Sequence, residues 1–124
     1  MFAAFASLCD STGDTSFCDR AESLADRSAR RFSVLRMGPQ FDSIYLRSLV
    51  ELYRFDGNPR WYSIVQQNAG RALDSARDGR GLFLRDWDGG TLSGLGIRPN
   101  MLQTHAATSS IFAWLATVPP PSGS

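Results

Sequence analysis

Lysine is missing from this chain altogether; its 13 basic residues are all arginine and stand against 12 acids, for a formal net charge of +1. The arginines alternate with acids instead of clustering, so the sequence makes no electrostatic case for nucleic acid or an anionic membrane surface as a partner. No apolar run approaches the roughly 20 residues that a membrane-spanning helix requires, and no membrane span is expected. Histidine occurs once and cysteine twice. Two thiols without a nearby histidine fall short of a four-ligand zinc set, so no metal site is expected. Phosphate-cradling loops and nucleophile motifs are also missing, and with them any reason to expect a cofactor.

What is present is a 43% hydrophobic content over 124 residues, enough for one core, and the chain reads as a single helical segment over 1–124. The stretch from Gly38 to Gly90 organises it. Gly38-Pro39 opens a central helix in which Phe41, Ile44, Tyr45, Leu49, Leu52 and Tyr53 recur at helical spacing. Only a thin polar stripe, Ser43, Arg47, Glu51 and Arg54, interrupts that surface, so this helix is expected to touch protein around most of its circumference. Phe55-Asp56-Gly57-Asn58-Pro59 ends it and starts the next, with Gly57 as left-handed cap, Asn58 as N-cap and Pro59 at the first helical position. The second helix, Pro59 to about Asp78, carries Trp61, Tyr62, Val65, Ala69, Ala72, Leu73 and Ala76 on one face and a polar set opposite, which predicts an outer helix closed by Gly79. Together they form an αα-hairpin.

Before this hairpin, Thr15 or Ser16 is positioned to cap a helix running to about Phe32, with Phe17, Ala21, Leu24 and Ala25 on its inner face. Cys9 and Cys18 bracket a polar loop with a turn signal at Gly13-Asp14; they pair as a disulfide or stand as two thiols. Met1 to Leu8 is apolar but lacks a basic leader and is short for a signal peptide, so it reads as the end of an element that begins upstream. From Gly79 to Asn100 the glycine density rules out a continuous helix, and Leu82 to Arg85 is expected to make a short strand. Asn100 caps a last helix whose body, His105 to Ala116, contains no charge, which predicts burial on all sides. A flexible tail is expected over 117–124.

If the helices alternate in direction, the loops at 33–38 and 79–100 fall at one end, beside the N-termini of the two apolar helices. That end is where a site belongs. Asp86-Trp87-Asp88 is the sharpest constellation there. Paired carboxylates are the apparatus of glycoside hydrolysis, held about 5–5.5 Å or about 6.5–9.5 Å apart. The other reading makes both acids solvated loop residues and Trp87 a plug in the end of the helical barrel. Asp42 suits the dipole of the first helical turn, and His105 reads as a hydrogen-bonded core residue.

The order of these features resembles the C-terminal part of glycoside hydrolase family 76, the α-1,6-mannanase family. The run from Gly38 to Gly90 and LQTHAATSSIFAWLA after it carry the resemblance, which spans Cys9 to Ala116. It implies an all-α fold, part of an (α/α)6 toroid, with about four antiparallel helices and one long glycine-rich loop. It implies an α-mannan-like carbohydrate as partner once an N-terminal half is present, and a secreted or cell-surface setting. The family's adjacent aspartates have no counterpart, since Asp-Asp occurs nowhere in the sequence, so no catalytic residue is assigned. Phe41-Asp42-Ser43 also stands where the family has Phe-Lys-Gly. In a groove wall, Trp87 would be a stacking platform and Gln40, Asp42, Asp86 and Gln103 hydroxyl partners. An arc of a ring leaves inner helices bare on one flank, so some of Leu46, Val50, Ile111 and Trp114 are expected to be exposed and to invite self-association. The alternatives are a non-catalytic helical interaction module and a fragment of another α/α-toroid sugar enzyme, such as an epimerase or unsaturated glucuronidase.

Overall fold

The computed structural model describes residues 2–31, 39–83, 85, 87–89 and 102–122. Phe32, the bridge at 33–38, Asp86 and Asn100 lie outside them. The fold is all-α, with five helices among the described residues: α1 (Phe2–Thr12), α2 (Thr15–Arg31), α3 (Pro39–Asp56), α4 (Pro59–Ser75) and α5 (Leu102–Ala116). The helix beyond the expected four is α1, which occupies the apolar stretch expected to be the end of an element.

Local chemistry sets the joints. Between α1 and α2, Gly13 takes φ +70°, and its N–H donates to the Cys9 carbonyl at 2.8 Å. The cap of α2 is Asp14, one residue before the expected Thr15: its Oδ1 accepts from the Ser16 N–H at 2.9 Å, and that bond holds the carboxyl below the usual aspartate range. Between α3 and α4 the expected turn is found, with Gly57 at φ +66° and Asn58 accepting from the Arg60 N–H at 3.0 Å. Helix α4 ends at Ser75, short of Asp78. There Asp78 turns the chain back by accepting the N–H groups of Arg80 and Leu82, and the expected strand shrinks to one antiparallel bridge between Arg77 and Phe83.

Pair contacts fix the helix directions. The Phe2 ring meets Tyr45 edge-on at 5.9 Å, and Ser7 and Asp10 line a cleft with Glu51, Arg54 and Phe55, so α1 runs parallel to α3. Gln40 donates to Thr104, and Tyr53 donates to the Pro119 carbonyl at 2.8 Å, so α5 is also parallel to α3. The tight turns make α2 and α4 antiparallel to them. The result is two layers: α1, α3 and α5 in one, α2 and α4 backing them. The core lies between, built on Leu46, Leu49, Leu52, Trp61, Val65 and Ile111.

Four expectations need correction. Leu46, Val50 and Ile111 are buried and Trp114 is half-buried, α3 being packed on both α4 and α5. The exposed large apolar side chains of α3 are instead Phe41, Ile44 and Phe55, with Phe41 58% and Ile44 65% exposed. Ser43, expected on the outward polar stripe, is buried. Helix α5 is not wrapped: Thr104, Thr108 and Ile111 are buried, but Leu102 is 79% exposed and Ala106 and Ala113 face outward. Absence of charge marked a face, mostly of small residues, that no element among the described residues covers. The tail, finally, is tied at its start, with Val118 buried and Pro119 holding the Tyr53 hydroxyl.

Candidate functional site

The residues expected to form a groove are only partly brought together. Gln40, in the first turn of α3, is half-buried and donates through Nε2 to Thr104 Oγ1 at 3.2 Å. Its Oε1 is buried without a hydrogen-bond partner among the described residues. Gln103 is exposed in the first turn of α5, beside Thr104. These two glutamines therefore share the end of the molecule at which α3 and α5 begin. Asp42 is 3% exposed and Trp87 2% exposed, so neither presents a surface to a ligand. Trp87 donates through Nε1 to Thr108 Oγ1 at 3.1 Å, and its ring packs in the core. It is a plug, not a stacking platform. Asp86 lies outside the described residues, and Asp88 is exposed.

His105 is structural, as its position in the sequence suggested. Its Nδ1 accepts the Phe83 backbone N–H at 3.0 Å, which places the ring proton on Nε2, facing the Ser109 hydroxyl at 3.4 Å. The Phe83 ring stacks on both His105 (5.8 Å) and Phe112 (5.6 Å), so the returning loop is clamped to one side of α5. With alanine at position 105 the buried Phe83 N–H loses its acceptor. We expect its amide to exchange with solvent about tenfold faster while the global unfolding transition moves little; an unchanged exchange rate would show that the clamp rests on ring stacking alone.

Two of the surface clefts are lined by described residues. The larger, about 430 Å³, lies between the last turns of α1 and α3 and is lined by Ser7, Asp10, Glu51, Arg54 and Phe55. The smaller, about 260 Å³, is a shallow apolar depression at Leu73, Phe83, Ser109 and Phe112. The sequence reading placed nothing at the first, because Asp10 and Glu51 are distant in sequence and meet only through the parallel packing of α1 on α3. In that cleft Glu51 is already engaged by Arg47 at 3.3 Å.

The polar joints of the fold account for the shifted titrations. Asp26 accepts from Arg60, and that contact, with Arg30 3.0 Å away, holds its carboxyl low. Asp56 accepts from the Asn58 N–H and from the Trp61 indole, both at 2.8 Å, so its two oxygens act as acceptors. Glu22, on α2, faces it. Burial raises the Glu22 carboxyl above the usual glutamate range, and the nearby Asp56 and Asp19 add to the effect. A raised folded value means that the protonated form suits the fold, so this contribution is present at acid pH and is lost as pH rises through it. Glu22→Gln should therefore gain on the parent chain between about pH 4 and pH 7, ending roughly 0.3 kcal/mol more stable after screening. A urea-midpoint difference constant with pH would contradict this.

Among the described residues no three His, Cys, Asp or Glu side chains gather closely enough to hold a metal ion, and no helix is long and apolar enough to cross a membrane. Cys9 and Cys18 are joined in a disulfide, with their Cα atoms 5.2 Å apart. Comparison of the chain with protein-family models, with curated proteins and with solved structures finds no match.

Proposed function

We propose that this chain is an arc of an (α/α)6 ring of the α-1,6-mannanase kind, forming one wall of a carbohydrate groove and hydrolysing nothing by itself. The observation that carries the reading is the layering: α1, α3 and α5 run parallel, α2 and α4 return behind them, and the side of the parallel layer away from those backing helices is uncovered. Alternating inner and outer helices are what an αα-hairpin ring requires, and such a ring would hide that face. Gln40 and Gln103, at the common start of α3 and α5, are the hydroxyl partners this reading retains. The disulfide suits an oxidising compartment, where a polysaccharide-degrading protein would work.

Affinity electrophoresis in gels containing α-1,6-mannan tests the proposal. Retardation of the chain, reduced in Gln103→Ala, together with no release of reducing ends, is the expected result. Migration indifferent to mannan would overturn the carbohydrate reading, and hydrolysis by the purified chain would overturn the inactive one. A second reading, a non-catalytic helical interaction module, draws on the exposure of Phe41, Ile44 and Leu102, since adjoining apolar side chains on one face mark contact surfaces.

A further inference from the structure

The cleft between the last turns of α1 and α3 lies at the other end of α3 from Gln40, and the carbohydrate reading makes no use of it. Its lining combines both signs of charge with one ring: Ser7 and Asp10 come from α1, and Glu51, Arg54 and Phe55 from α3. Glu51 is already neutralised by Arg47 at 3.3 Å. That leaves Asp10 as the carboxylate of the cleft and Arg54 as its guanidinium, and among the described residues neither has an ion-pair partner. We infer that this cleft binds a small zwitterion of the amino-acid class, with its ammonium on Asp10, its carboxylate on Arg54 and its apolar side chain on the Phe55 ring.

Charge selects this class over the others. A simple anion would meet the Asp10 carboxylate and a simple cation the Arg54 guanidinium, so a ligand of one sign gains at one residue what it loses at the other. A ligand that carries both charges gains at both. A guanidinium also suits a carboxylate by shape, since its N–H groups form a planar fork that two oxygens can share. Ser7 adds a hydroxyl that can give or accept a further hydrogen bond. The apolar part of the ligand is selected by Phe55, whose side chain is exposed at the cleft and gains by covering its ring. Size agrees: about 430 Å³ lies within the range of about 300–1,000 Å³ usual for small-molecule sites, enough for one amino acid with some water. The inference is independent of whether the chain ever meets a sugar at the end where α3 and α5 begin.

Chemical-shift titration of the isotope-labelled full chain with L-phenylalanine tests it, beside two analogues that each keep one charge: phenethylamine, which lacks the carboxylate, and phenylpropionate, which lacks the ammonium. L-phenylalanine should move the amide signals of Ser7, Asp10, Arg54 and Phe55 to saturation, with a Kd on the order of millimolar for so small a ligand in an open cleft. Each analogue should bind about threefold or more weakly, the share of one solvent-exposed ion pair. Asp10→Asn should weaken L-phenylalanine and phenethylamine but leave phenylpropionate unchanged, and Arg54→Gln should do the reverse with the two analogues. Both side chains are exposed, so the variants keep the fold, and their unshifted spectra elsewhere will show it. The absence of any saturable shift would overturn the inference. So would an analogue that binds as tightly as L-phenylalanine, or methyl α-mannoside shifting the same amides more strongly, which would make the cleft a polyol site.

Discussion

Replacing Trp61 with alanine is expected to unfold this chain at ambient temperature. The indole is 2% exposed, the largest fully buried side chain of the core, and it stands in the first turn of α4 where that helix crosses α3. Its removal costs the transfer free energy of the ring and leaves a cavity, about 3–5 kcal/mol together. A domain of this size has on the order of 5–15 kcal/mol in all, and a two-layer fold with one face uncovered belongs at the low end. The indole N–H also holds Asp56 at 2.8 Å, so the loss reaches the turn that reverses the chain. Trp61→Phe separates the two contributions: it keeps most of the apolar contact and should cost about 1.5 kcal/mol through the missing charge-assisted hydrogen bond. Circular dichroism during urea titration measures both. If Trp61→Ala unfolds at the parent midpoint, the core is not centred where the structure puts it.

Removing the Cys9–Cys18 bridge is the second large effect. The bond closes a loop of sequence separation 9 between α1 and α2, and loop-closure entropy assigns it about 2.7 kcal/mol. That share matters here because α2 docks through small side chains: Ala21, Ala25 and Ala29 are its buried residues, and each contributes little apolar area. Ring contacts such as Phe5 on Phe17 and polar ties such as Asp26 to Arg60 and Ser28 to Tyr45 complete the attachment. The double substitution of both cysteines by serine should lower the melting temperature by roughly 10 °C. Hydrogen exchange should speed up first in α1 and α2, leaving the α3–α4 hairpin protected. Uniform acceleration across all five helices would mean that the fold opens only as one unit.

The joints of this fold were legible in the sequence because each rests on neighbouring residues. Gly57-Asn58-Pro59 sets a left-handed glycine, a capping amide and a proline with no N–H to lose, and the α3–α4 turn forms as read. The Gly13-Asp14 turn is equally local, and His105 was read correctly as a hydrogen-bonded residue. What failed depended on partners remote in sequence. Helix α3 is apolar on nearly every side, so periodicity alone could not tell that Leu46 and Val50 are buried while Phe41 and Ile44 are exposed. Helix α5 lacks charge, but absence of charge is not burial: alanine tolerates water, and Ala106, Ala113 and Ala116 are exposed beside Leu102 and Gln103. Trp87 looked like a platform because it sits between acids in a glycine-rich loop. Its burial follows from Thr108, a hydroxyl acceptor 21 residues away that no local pattern connects to it.

The claim on which the rest depends is that α1, α3 and α5 run in one direction. Through-space NOE contacts in an isotope-labelled sample test it most directly. The structure predicts cross-peaks between the rings of Phe2 and Tyr45, between Gln40 and Thr104, and between Tyr53 and Pro119. Cross-peaks joining the start of α3 to the end of α5, such as Gln40 to Leu115, would mean that the two helices are antiparallel, and the layered arc would be wrong.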